Sequence, residues 1–131
     1  MAVNSGVRVI ATTRDRDRWP MLEKLGAERC EIERRDLSKH IPEAKKVDAV
    51  LDLVGNSVLL DSLAMPRRGG RSCLAGFLGG LDPIPDFNPL LQMASGVYLT
   101  FSAASCSGLR AFRFPTWKEP RATRAPVTLT R

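Results

Sequence analysis

The residue types in this chain that suit metal, nucleophilic or acid–base chemistry are three cysteines, one histidine and two aspartates in one apolar run. Cys30, Cys73 and Cys106 are odd in number and far apart, so they offer neither a CxxC zinc pair nor a disulfide framework. Each reads as a small apolar residue of a reduced protein. His40 is the sole histidine and reads as a solvated loop residue. Asp48 and Asp52 would share one face of a strand, separated by about 13 Å, which suits structural roles better than an acid–base pair. No residue is nominated as catalytic, and no metal site is expected.

The glycines say more. Val47 to Phe77 reads as strand, glycine turn at Gly55, helix, Gly69–Gly70 turn and second buried strand, a βαβ unit whose loops lie where a nucleotide would sit. Ahead of it, Val7–Thr13 is a β-branched run of the kind buried on both faces of a parallel sheet. The spacing of Trp19, Leu22 and Leu25 predicts a helix over 16–25 ending at Gly26, with Pro20 in its first turn. A short strand is expected at Arg29–Glu33, then a polar crossover with a brief helix after Pro42. Val47–Val54, Ser57–Met65 and Arg71–Gly76 supply strand, helix and strand. Residues 77–89 form a loop, a short helix starts near Asn88, and Val97–Phe101 is a last strand. This alternation is that of a parallel α/β sheet with right-handed connections.

Composition narrows the class. The 131 residues are 44% hydrophobic and 26% charged, ordinary for one globular domain. No apolar run reaches the roughly 18 to 20 residues of a membrane helix, and no secretory signal core is present, so a cytoplasmic protein without membrane contact is expected. The net charge of +6 sits in the tail: six Lys and Arg against one acidic residue after Phe101, with the preceding body nearly neutral. That tail has no helix-turn-helix, zinc-finger or RNP pattern, so nucleic acid is not the expected partner. Its bias toward Ala, Arg, Pro, Ser and Thr is that of a GC-rich gene read out of frame. The expected organisation is therefore a partial dinucleotide-binding domain over 1–101 and an irregular or disordered basic tail over 102–131.

Four motifs carry a family resemblance: ATTR at 11–14, LGA at 25–27, DAVLDLVGN at 48–56 and GGRSCLAGF at 69–77. In order and spacing they resemble medium-chain dehydrogenase/reductases, above all the quinone oxidoreductase and zinc-type alcohol dehydrogenase branch. The resemblance implies a truncated Rossmann-like parallel sheet. Val7–Thr13 would be the family's second strand, and the first strand, its glycine-rich phosphate turn and the barrel-like catalytic domain would lie outside this sequence. The seat of that first strand would be the middle of the sheet, beside both Val7–Thr13 and Val47–Val54, which leaves an exposed edge there.

The resemblance also places cofactor contacts. Thr13 and Arg14 stand where an acidic side chain would select NAD, with Arg18 close behind, so NADPH is the better fit. The alternative is a solvated helix start in which Asp15 and Asp17 cancel the arginines. Val54, Gly55 and Asn56 would lie above the dinucleotide and Gly76 and Phe77 beside the nicotinamide, although either glycine can be a turn residue alone. The function implied is a fragment of an NADPH-dependent oxidoreductase that transfers hydride to a quinone or enone. The fragment would be inactive alone, with a weak or incomplete NADPH site and no zinc. Its partner would be a second copy or a complementing oxidoreductase chain at the sheet edge. The alternative is a noncatalytic nucleotide-binding or subunit-association remnant.

Overall fold

In the computed structural model, the structure describes residues 6–102 and the backbone of 127–130. Strands β1 (Val9–Thr13), β2 (Arg29–Ile32), β3 (Val47–Asp52), β4 (Pro66–Leu74), β5 (Tyr98–Phe101) and β6 (Val127–Thr130) form one sheet in the order β2-β1-β6-β3-β4-β5. Every pairing is parallel. Helices α1 (Trp19–Lys24), α2 (Leu59–Ala64) and α3 (Pro89–Gln92) and two 3-10 turns, Arg16–Arg18 and Leu37–Lys39, connect them.

Burial explains the strands. All five residues of β1 are buried, as a strand covered on both faces requires. Ile10, Leu37, Ile41, Val47, Val50 and Met65 form the main apolar cluster, and Leu59, Leu63 and Val97 a second one beneath α2. Asp61 near the start of α2 accepts hydrogen bonds from the backbone N–H and the hydroxyl of Ser38, pinning the helix to the crossover. Asn88 caps α3 by accepting from the N–H of Leu90 at 3.1 Å.

Three expectations need correction. The segment after Pro42 forms turns rather than a helix, and the brief helical turn lies earlier, at Leu37–Lys39, where Leu37 is buried. Gly69–Gly70 is not a turn before the strand. β4 already starts at Pro66 and carries the glycines as an irregularity, its register moving from Val47↔Pro66 to Ala49↔Arg71. The tail read as irregular supplies β6, a Val-Thr-Leu-Thr run of strand-forming residues. The rest of that tail lies outside the described residues.

The most consequential of these is β6. It occupies the seat between β1 and β3 that the resemblance gives to a first strand, pairing Ala11↔Leu129 on one side and Leu51↔Leu129 on the other. The edge expected to stand open there is closed by the chain's own C-terminal strand.

Candidate functional site

In a parallel sheet the loops after the strands gather at one edge, where ligands of open α/β folds bind. Here the loops after β1, β2, β3 and β4 border an open cavity of about 450 Å³. One wall is Arg14, Glu33, Arg34 and Arg35, and the other is Ser57, Val58, Leu78 and Gly79.

The arginine wall is built from two strand ends. The backbone N–H of Glu33 donates to the Thr13 carbonyl at 2.9 Å, extending the β1–β2 ladder and bringing Arg14 beside the Glu33–Arg35 loop. Arg14 Nη2 lies 3.4 Å from Glu33 Oε1. The Glu33 side chain is only 8% exposed against 66% for Arg14, and its second oxygen, Oε2, is buried without a partner. Three guanidiniums against one carboxylate leave the cavity cationic, which suits a phosphate group.

The opposite wall depends on Asp52. This carboxylate is fully buried and accepts from the N–H groups of Val54 and Gly55, each at 2.9 Å, and from the Ser62 hydroxyl at 2.8 Å. The turn after β3 is thereby fixed to the side chain that ends the strand and to α2. Gly55 takes φ +98°, and a Cβ on it would lie 2.9 Å from the Gly76 carbonyl oxygen. Gly76 in turn is packed on the Leu53 backbone, so the two glycines let the ends of β3 and β4 touch. Gly79 then donates to the Val54 carbonyl at 2.7 Å, placing the 77–80 turn over the cavity.

Of the residues singled out from sequence, Arg14 lines this cavity, and Thr13, Val54, Gly55 and Gly76 form the framework behind it. Asn56 is tied to the next loop, its Nδ2 donating to the Asp82 carbonyl at 2.7 Å. Phe77 is 68% exposed and is not among the lining residues. Arg18 faces a separate small cleft with Thr12, Thr13, Met21 and Leu22, because the 3-10 turn carries it away from Arg14. Arg16 instead stacks on the Trp19 ring, 5.5 Å from its centre. Glu33, Arg34 and Arg35 escaped the sequence reading. The available signal was an ERR run directly after a strand, at the same sheet edge as Arg14.

The other candidate chemistry resolves as structure. Asp48 pairs with Arg67, and His40 lies 3.1 Å from Asp36, whose carboxyl it holds below its ordinary pKa. Burial, and then the charges of Glu23 and Glu31, raise the pKa of the Cys30 thiol, the opposite of what a nucleophile needs. Among the described residues no three His, Cys, Asp or Glu side chains gather as a metal site. No helix among them is long and apolar enough to cross a membrane.

Residues 1–117 match the zinc-binding dehydrogenase family. No curated protein matches the chain. Among solved structures, a mycobacterial quinone oxidoreductase is 28% identical with a TM-score of 0.65, covering 78% of this chain and 32% of its own. A mycobacterial protein solved with NADPH is 29% identical at TM-score 0.64, over 77% of this chain and 32% of its own. A quinone oxidoreductase from Pseudomonas syringae pv. Tomato is 26% identical at TM-score 0.62, with 77% and 32% covered. The chain thus spans about a third of the length of each of these structures. With the ordered motifs, the parallel sheet and a family match that takes in every strand but β6, the chain belongs to the zinc-binding dehydrogenases of the medium-chain dehydrogenase/reductase family and carries their Rossmann-like fold.

Proposed function

We infer that this chain is the NADPH-binding part of a quinone-reductase-type oxidoreductase, holding the phosphorylated adenosine end of the cofactor in the arginine-walled cavity. The observation that carries this reading is the convergence of Arg14, Arg34 and Arg35 at the C-terminal edge of a parallel sheet. The residues present fit the group: the guanidiniums suit the 2′-phosphate, and the partly satisfied Glu33 carboxylate beside them suits a ribose hydroxyl.

When bound, the nicotinamide supplies a hydride. The chain's own residues bind and orient. Arg14, Arg34 and Arg35 hold the phosphate, Ser57 offers a hydroxyl from the opposite wall, and the Val54–Gly55 turn, locked by Asp52, fixes that wall in place. The described residues are assigned to cofactor binding and orientation, and turnover to an assembly with a substrate-binding domain, in keeping with solved relatives of which this chain covers about a third. The assembly edge is assigned to β5, whose Tyr98 and Phe101 are exposed at the end of the sheet and open to a second copy or a complementing chain.

The reading is tested by replacing the arginines. Arg34→Ala and Arg35→Ala are each expected to weaken NADPH binding by about 1.5–3 kcal/mol, roughly tenfold or more, while barely changing NADH. Arg14→Ala is best made with Glu33→Gln, since the single change would leave a buried carboxylate without its cation. Equal losses for NADPH and NADH, or none for either, would show that the arginines do not read the 2′-phosphate.

A further inference from the structure

The two walls of the cavity belong to different halves of the sheet. Arg14 and Arg34 follow β1 and β2, whereas Ser57 and Gly79 follow β3 and β4. Within each half the strands pair directly, β1 with β2, and β3 with β4 and β5. Between the halves the described ladder runs through β6 alone, which meets Val9–Thr12 on one side and Ala49–Asp52 on the other.

That arrangement makes β6 a spacer. With it seated, β1 and β3 stand two strand widths apart, about 10 Å. Without it, two rows of buried N–H and C=O groups would face each other across an empty slot, which a folded backbone does not sustain. The halves would close together or part, and either movement displaces Arg14 relative to Ser57 and Gly79. The apolar cluster that includes Ile10, Val47 and Val50 crosses the same seam and holds the halves together, but side-chain packing alone does not set a strand spacing. β6 also meets both of its partners from more than 70 residues away in the sequence, so none of its ladder contacts is local.

We propose that β6 is the positioning element of the cavity: its seating between β1 and β3 sets the distance between the arginine wall and the Ser57–Gly79 wall, so that ligand binding and strand seating favour each other. The coupling rests on the reading of the cavity as an NADPH site, and linkage requires it to be reciprocal.

The test uses the full chain. Val50 and Thr128 are register partners, so Val50→Cys/Thr128→Cys is expected to form an intramolecular disulfide on oxidation without ligand. The cross-linked chain then binds NADPH at least as tightly as its parent. Leu129→Pro, which removes an N–H from β6 and alters no cavity residue, binds about tenfold more weakly. In the parent chain, amide exchange at 128–130 slows when NADPH is added, and this measurement decides the matter if Leu129→Pro does not fold. Absence of the intramolecular disulfide, a folded Leu129→Pro chain with parental affinity, or exchange indifferent to NADPH each overturns the proposal. Those results leave the NADPH reading standing, as does a cross-linked chain that fails to bind NADPH when its parent binds it, whereas a folded parent chain unable to bind NADPH overturns both.

Discussion

Asp52→Ala is expected to destabilise the fold by about 4 kcal/mol, seen as a large drop in the urea midpoint. The side chain is fully buried and accepts three hydrogen bonds, from the N–H groups of Val54 and Gly55 and from the Ser62 hydroxyl. Alanine strands all three donors where no water replaces the carboxylate, and each unsatisfied buried group costs about 1–3 kcal/mol. Asp52→Asn is the informative contrast. Its amide oxygen still accepts from the two N–H groups, and the Ser62 hydroxyl turns to accept from the new NH2, so a loss of only about 1–2 kcal/mol is expected. Alanine and asparagine variants of equal stability would show that Asp52 is not what secures the turn after β3.

The second large effect is expected at Gly76. A methyl group there would overlap the Leu53 carbonyl oxygen and lie 2.8 Å from the Leu53 Cα and carbonyl carbon, all of them backbone atoms that no rotamer change can move. Gly76→Ala should therefore cost about 2–4 kcal/mol, the range of other overpacked or strained sites. Because the ends of β3 and β4 must part to admit the methyl, the 77–80 turn shifts and NADPH affinity falls with stability. Gly80→Ala is the control. Gly80 has φ +101° with nothing within 4 Å of a Cβ, so alanine there meets only the backbone penalty of about 1–2 kcal/mol. Thermal and urea denaturation of the two variants separates overlap from conformational cost, and equal losses would refute the close approach of β3 and β4.

Much of the fold was legible because its signals are local. VIATT and VDAVLD read as buried strands since parallel strands covered on both faces lose their polar alternation, and the structure buries Val9, Ile10, Val47 and Val50. Asp52 was assigned a structural rather than an acid–base role from its separation of about 13 Å from Asp48 along one strand face, and three accepted hydrogen bonds show what it holds. β6 was not legible: its Val-Thr-Leu-Thr run suits a strand but is only four residues long and follows a stretch of arginines and prolines, and what makes it a strand is two partners more than 70 residues earlier in the sequence.

The site was half legible for a related reason. Arg14 could be placed because it directly follows a strong strand. Arg34 and Arg35 could not, since the polar run after β2 has the composition of a solvated crossover and becomes a cavity wall only when β1 and β2 pair. Arg18 shares the sequence neighbourhood of Arg14 but not its direction, because a 3-10 turn, with its tighter repeat, intervenes. Sequence spacing at a helix start thus identifies a cluster of cations without telling which of them line the cavity.

The most direct measurement is titration of the full chain with NADPH and, in parallel, NADH, following Trp19 and Trp117 emission and the cofactor's own fluorescence. Saturable binding that favours NADPH by about tenfold, and loses that preference in Arg34→Ala, is the predicted result. A folded chain that binds neither cofactor up to about millimolar concentration, or binds both equally and is unchanged by Arg34→Ala, would contradict the assignment of the arginine-walled cavity to the cofactor's 2′-phosphate.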